Sequence, residues 1–263
     1  MGLDAQYRQL VRALARIALA TGLVAALVAA AAGPAQACRL ALVFALDVSA
    51  SVDEAEYRLQ LEGLTQALAD PAVRTAMLAH GDAPGGTVAL AAYEWSGARQ
   101  QAMIAPWTAI RSEAGLDAFV GELAGHKRRY GEFPTAVGYA LGYGAVLMRR
   151  APVCARRVID ISGDGVNNDG FGPAAAYREF DFEGVTVNGL VIGGGNLELI
   201  SFYQLEVAHG PDAFVEVAAD FADYARAMRR KLLRELGGDH VARAAPDWLA
   251  RSQVWIPLPA RHP

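Results

Sequence analysis

The run 40–51, LALVFALDVSAS, constrains the fold more than any other stretch of the chain. Leu, Ala, Val and Phe follow one another without a polar residue until Asp47. A segment so apolar, and too short for a helix of ordinary length, reads as a strand buried on both faces, as in parallel sheets covered by helices. At Asp47 the composition changes abruptly. Asp47, Ser49 and Ser51 place an oxygen-bearing side chain at every second position, just where strand gives way to loop. Hard oxygens at the carboxyl end of a buried strand are a donor set suited to a hard cation.

Strand and helix patterns alternate from there. Residues 52–69 carry Tyr57, Leu61, Leu64 and Leu68 on one stripe, with Asp53, Glu54 and Glu56 in the first turn, which suits a helix N-terminus. A short helical piece near 72–79 leads to a second buried strand at 87–95, TVALAAYEW. The segment 100–107 is apolar and extended, and Ser96-Gly97-Ala98 is short enough to make a hairpin with an antiparallel edge. Ser112 opens a helix through Leu116, Phe119, Val120 and Leu123. After Thr135 comes a helical pattern whose Gly138, Gly142 and Gly144 point to close packing on a sheet. Strands follow at 157–162, 185–192 and 213–217, separated by helices at 172–182 and 197–208 and closed by a basic-ended amphipathic helix at 221–236. The expectation is an α/β fold: a doubly wound, mostly parallel sheet with one antiparallel edge strand, in one domain over 38–236. Residues 237–263 carry several prolines and no periodicity, and are read as a tail.

The chain has 263 residues, 53% hydrophobic and 20% charged, with a net charge of −4. That balance gives no global attraction for nucleic acid or anionic lipid, so neither partner is expected. Arg8, Arg12 and Arg16 precede an apolar run at 17–32 and the small-residue site Ala35-Gln36-Ala37, the order of a secretory signal peptide. Residues 1–37 are therefore expected to direct export to the periplasm or beyond. An uncleaved anchor is the alternative, for which the apolar run is short. Lipidation of Cys38 is another, for which Ala35 and Gln36 match poorly. No later stretch is long and apolar enough to span a bilayer. Cys38 and Cys154 are the only cysteines, and in an exported protein they favour a disulfide over two free thiols.

In an open parallel sheet, ligands gather beyond the carboxyl ends of the strands where the winding reverses. Asp47, Ser49 and Ser51 follow the first strand, Asp164 follows RVIDISG, and Thr135 heads a helix. Here the sequence resembles the von Willebrand factor type A (VWA) family. DVSAS matches its D-x-S-x-S motif, Thr135 in EFPTAVGYAL its loop threonine, and Asp164-Gly165 in ISGDGVNN its strand-end D-G. Within that family the chain looks closest to bacterial exported VWA-like proteins of unknown function. The resemblance implies a three-layer, Rossmann-like sandwich and a metal-ion-dependent adhesion site (MIDAS). Ser49, Ser51 and Thr135 would bind Mg²⁺ directly, with Mn²⁺ or Ca²⁺ as alternatives, and Asp47 and Asp164 would act through water or switch into the shell. A protein partner's Asp or Glu carboxylate would complete the shell. Gly163 stands where the family more often has Thr or Ser, a change expected to loosen the loop. The family's usual strand order puts the first strand beside RVIDIS. On that order it implies the disulfide Cys38–Cys154.

Other features point to less. Asn167, Asn168 and Asp169 fail the EF-hand pattern at Val166 and Ala175 and read as a turn. The run 126–129, HKRR, reads as a solvated helix end, with a positive rim for an acidic partner as the alternative. The histidines show no zinc-ligand spacing, the glycines at 193–195 lack dinucleotide spacing, and no G-x-S-x-G or Ser/His/Asp set is present. The expectation is a non-enzymatic binding module. A metal-assisted hydrolase lacks an evident general base; a structural periplasmic protein with a vestigial site is the third reading.

Overall fold

A computed structural model describes residues 38–80 and 85–237. The signal peptide expected over 1–37 and the tail beyond 237 lie outside the described residues. Six strands form one sheet: β1 (Cys38–Asp47), β2 (Val88–Trp95), β3 (Gln101–Ile110), β4 (Cys154–Gly163), β5 (Val185–Ile192) and β6 (Val215–Ala218). Their order is β3-β2-β1-β4-β5-β6. Every neighbouring pair is parallel except β2 and β3, which are antiparallel. The doubly wound sheet with one antiparallel edge strand is therefore what the chain forms. Its winding reverses between β1 and β4, so their carboxyl ends flank the switch-point crevice.

Helices cover both faces. On one lie α1 (Glu54–Ala69), α2 (Pro71–Leu78), α3 (Glu113–Ala124) and α7 (Tyr224–Gly237); on the other lie α4 (Val137–Met148), α5 (Pro173–Glu179) and α6 (Leu197–Phe202). Side chains of β1 alternate between the layers: Leu40, Leu42, Phe44 and Leu46 enter the first, Val43 and Ala45 the second. Both sets are apolar because both faces are covered, which is why the strand reads as an unbroken run. Helix α1 starts two residues later than the expected span 52–69, because Asp53 is its cap. The Asp53 carboxylate accepts from the amides of Ala55 and Glu56, and Glu56 accepts from the Asp53 amide. Such a reciprocal cap is worth about 1 kcal/mol. It leaves 48–52 free to form the loop that carries the serines.

Cys38 and Cys154 are register partners on β1 and β4 and form a disulfide, with Cα atoms 4.5 Å apart. The bond ties the start of β1 to a strand 116 residues away. In the chain-entropy account a loop of that length is worth about 4–5 kcal/mol.

A charged cluster lies inside the α7 layer. Lys231 Nζ is 2.9 Å from Asp160 Oδ2 and 2.7 Å from Glu235 Oε1, and Asn188 Nδ2 donates to the same Glu235 oxygen at 2.8 Å. All four side chains are buried. Burial pushes Asp160 up to about 7, against the pull of Lys231. Burial alone would lower Lys231, but the two carboxylates outweigh it and hold it above its ordinary value.

Candidate functional site

The loop after β1 is held from three sides. Val48 N–H donates to Trp95 O at 2.9 Å and Ala50 N–H to Phe133 O at 2.8 Å, which fasten it to β2 and to the loop before α4. Arg128 supplies the third hold, its guanidinium donating to the carbonyls of Val48, Ser49 and Val52 at 2.9, 3.1 and 2.7 Å. The basic run therefore does not serve as a free positive rim at this residue. His126 is also committed: its Nε2 lies 2.9 Å from buried Glu94, which accepts from the Arg129 amide as well. Within the loop, Asp47 Oδ1 accepts from Ser49 N–H at 2.8 Å, and the Ser49 and Ser51 hydroxyls are 3.1 Å apart.

The other two segments meet this loop. Ser51 Oγ donates to Asp164 Oδ1 at 2.7 Å, across the gap between the ends of β1 and β4. Thr135, buried at the head of α4, faces Gly165: a Cβ added to that glycine would stand 3.4 Å from Thr135 Oγ1. The Asn-Asn-Asp turn proves to be its brace. Asn168 Oδ1 accepts from Thr135 N–H at 2.7 Å, Thr135 O accepts from the amides of Asn168 and Asp169, and Asp169 Oδ2 accepts from Ala98 N–H. Beneath the site Gln60 reaches up from α1. Its Nε2 donates to Asp47 O at 2.8 Å, and its Oε1 accepts from Ser162, whose hydroxyl accepts from Tyr224 of α7. The structure thus brings Asp47, Ser49, Ser51, Thr135 and Asp164 to one end of the sheet. Arg128, Asn168 and Gln60 support them, and nothing in the local sequence marks those three.

Burial pushes the Asp47 carboxyl up to about 7; the Asp164 charge adds to this, and hydrogen bonds from Ser49 oppose it. Its Oδ2 has no hydrogen-bond partner among the described residues, and neither does the hydroxyl of Tyr203. Gly163 explains their proximity. A Cβ there would stand 2.5 Å from Tyr203 Oη and 2.8 Å from Asp47 Oδ2. The glycine thus makes room for Tyr203, where loosening of the loop was expected.

An orphaned, fully buried carboxylate oxygen is a costly arrangement unless something completes it. No group of three His, Cys, Asp or Glu is placed to hold a metal among the described residues. The donor set is instead rich in neutral hydroxyls, with two carboxylates. That chemistry fits a hard, water-retaining cation.

The family model described as protein of unknown function DUF1194 matches residues 37–240. No curated protein matches the chain. Among solved structures, similarity extends to proximal thread matrix protein 1 of the mussel byssus (TM-score 0.55, 15% identity, 76% of this chain and 48% of that one). One structure of that protein has a zinc-occupied MIDAS motif. A von Willebrand factor type A protein from Catenulispora acidiphila gives TM-score 0.53 at 15% identity, over 76% of this chain and 43% of that one. The pilus adhesin SpaC from Lactobacillus rhamnosus GG gives 0.50 at 12%, over 76% and 31%. This chain spans about half the length of the byssal protein and less of the other two. At such identities the likeness is one of fold. The chain belongs to the DUF1194 family, and its sheet and covering helices are those of a VWA-like fold.

Proposed function

We propose that this chain is an exported, non-enzymatic module that binds a protein partner through a divalent cation held at Ser49, Ser51, Thr135, Asp47 and Asp164. The observation that carries the reading is the meeting of these five side chains, from three separated segments, at the switch point of the sheet. Ser49 and Ser51 hydroxyls 3.1 Å apart match adjacent vertices of a small octahedral cation, whose bonds of about 2.1 Å put neighbouring ligands about 3 Å apart. The hydroxyls of Ser49, Ser51 and Thr135 are the direct ligands, and the Asp47 and Asp164 carboxylates hold its waters. When bound, Mg²⁺ offers an incoming carboxylate a positively charged coordination position. Asp47 and Ser49 are wholly buried while Ser51 is exposed, so a partner approaches from one side. Exposed Phe133 and Val166, close in sequence to Thr135 and Asp164, give such a partner apolar surface beside the cation. The disulfide suits an oxidising compartment. Similarity to a byssal protein with a zinc-occupied MIDAS and to a pilus adhesin supports a binding role.

Thermal unfolding with increasing Mg²⁺ tests the reading. A ligand at 100 times its Kd stabilises by about 2.7 kcal/mol, which for a domain of this size raises Tm by about 5–10 °C. Asp47→Ala should abolish the shift. A wild type that gains nothing from Mg²⁺, Mn²⁺ or Ca²⁺ would put the vestigial-site reading ahead.

A further inference from the structure

Tyr203 lies outside the five proposed ligands, yet its side chain ends against them. Tyr203 is itself wholly buried and opens a π-helical turn, Tyr203–Val207, that continues α6. The ring passes over Gly189 of β5, where an added Cβ would stand 2.8 Å from Cδ1. The hydroxyl ends above Gly163 of β4, where an added Cβ would stand 2.5 Å from it and 2.8 Å from Asp47 Oδ2. Two strand glycines thus form a slot that carries a phenol across β5 and β4 to the end of β1. A purely packing role leaves the hydroxyl unexplained. A buried hydroxyl with no partner costs about 1–3 kcal/mol, and Phe would fill the same slot without that cost. Single π-turns recur in helices at functional sites, because they re-aim a side chain.

We propose that Tyr203 is a positioning residue of the cation site, its hydroxyl holding a water shared with Asp47 Oδ2 on the buried side of the cation. The assignment rests on the cation reading above and adds a residue that no sequence spacing marks. It accounts for both orphaned oxygens at once. The phenol donates or accepts at the water, the carboxylate accepts from it, and one bridging water satisfies two groups too costly to leave bare. It also accounts for Gly163, since any side chain there would occupy the place of the hydroxyl.

The test uses the full chain and Mn²⁺ alone, titrated calorimetrically into wild type, Y203F, G163S and the double variant Y203F/G163S, with far-UV circular dichroism and apo melting as controls for folding. Y203F should fold and bind Mn²⁺ about tenfold more weakly, the scale of one hydrogen bond to a charged group. G163S should also lose affinity, because its Cβ meets the Tyr203 oxygen. The double variant relieves the contact with Tyr203 but leaves the serine Cβ 2.8 Å from Asp47 Oδ2, so it should bind better than G163S without regaining the wild-type affinity. Equal affinity in wild type and Y203F would overturn the assignment. So would a Y203F protein whose weaker binding comes with a lower apo melting temperature, the mark of lost packing and not of a lost hydroxyl contact. A wild type that binds no Mn²⁺ overturns the cation reading itself, and this assignment with it.

Discussion

Replacing Lys231 with Met keeps the length of the side chain and removes the only cation between Asp160 and Glu235 among the described residues. The lysine stands 2.9 Å from one carboxylate and 2.7 Å from the other, with all three groups buried in the layer between α7 and the sheet. Without it, Asn188 remains as the side-chain donor, and it serves Glu235 alone. Breaking a buried ion pair by removing one partner costs about 3–5 kcal/mol. For a domain of this size that lowers Tm by roughly 10 °C. The pH profile is the sharper test. Asp160 is held up to about 7, chiefly by burial and against the pull of Lys231, whereas an unfolded aspartate titrates near 4. A carboxyl raised on folding contributes stability that is fully present below its unfolded pKa and is lost as pH rises through its folded value. The wild type therefore loses stability from this group between about pH 4 and pH 7. In K231M the opposing attraction is gone, so Asp160 rises further and the loss extends to higher pH. The gap between the proteins should be small near pH 4.5 and full near pH 8. Urea unfolding followed by tryptophan fluorescence, with chelator present throughout, measures it. A K231M protein within 1 kcal/mol of wild type at pH 8, or a gap that does not narrow on acidification, would refute the reasoning. The neutral set K231M/D160N/E235Q should recover much of the loss, because no charge is then left buried.

Two further outcomes follow from named contacts. Arg128→Met removes the donor shared by the carbonyls of Val48, Ser49 and Val52, so Mg²⁺ affinity should fall about tenfold and stability by about 2 kcal/mol, read by calorimetry and melting. Cys38→Ser should lose up to about 4–5 kcal/mol, and dithiothreitol should destabilise the wild type but leave the variant unchanged, since the Cys38–Cys154 bond is then already absent.

The sheet was legible because its signal is local. Strands such as β1 and β5 carry apolar residues on both faces, and a helix stripe such as Tyr57, Leu61, Leu64 and Leu68 needs no tertiary knowledge. The five oxygen donors were legible for the same reason, as side chains at strand ends and a helix head. Their supports were not. Arg128 read as part of a solvated basic run, yet it folds back on carbonyls 76 to 80 positions away in sequence. Lys231 and Glu235, spaced i and i+4, read as part of a basic-ended amphipathic helix, and only the packing of α7 on β4 buries them beside Asp160. Tyr203 read as an ordinary helix residue, because the π-turn that aims it has no pattern in sequence. Gly163 carried a visible departure from the family motif, but the reason for it lies on a helix forty residues later.

Anomalous diffraction from crystals of the protein soaked in Mn²⁺ locates the cation itself. One strong peak is expected at the carboxyl ends of β1 and β4, within about 2.0–2.3 Å of the hydroxyl oxygens of Ser49, Ser51 and Thr135 and lost in Asp47→Ala crystals. Ordered crystals with no peak at that position, under Mn²⁺ concentrations that label other surface sites, would contradict the cation reading.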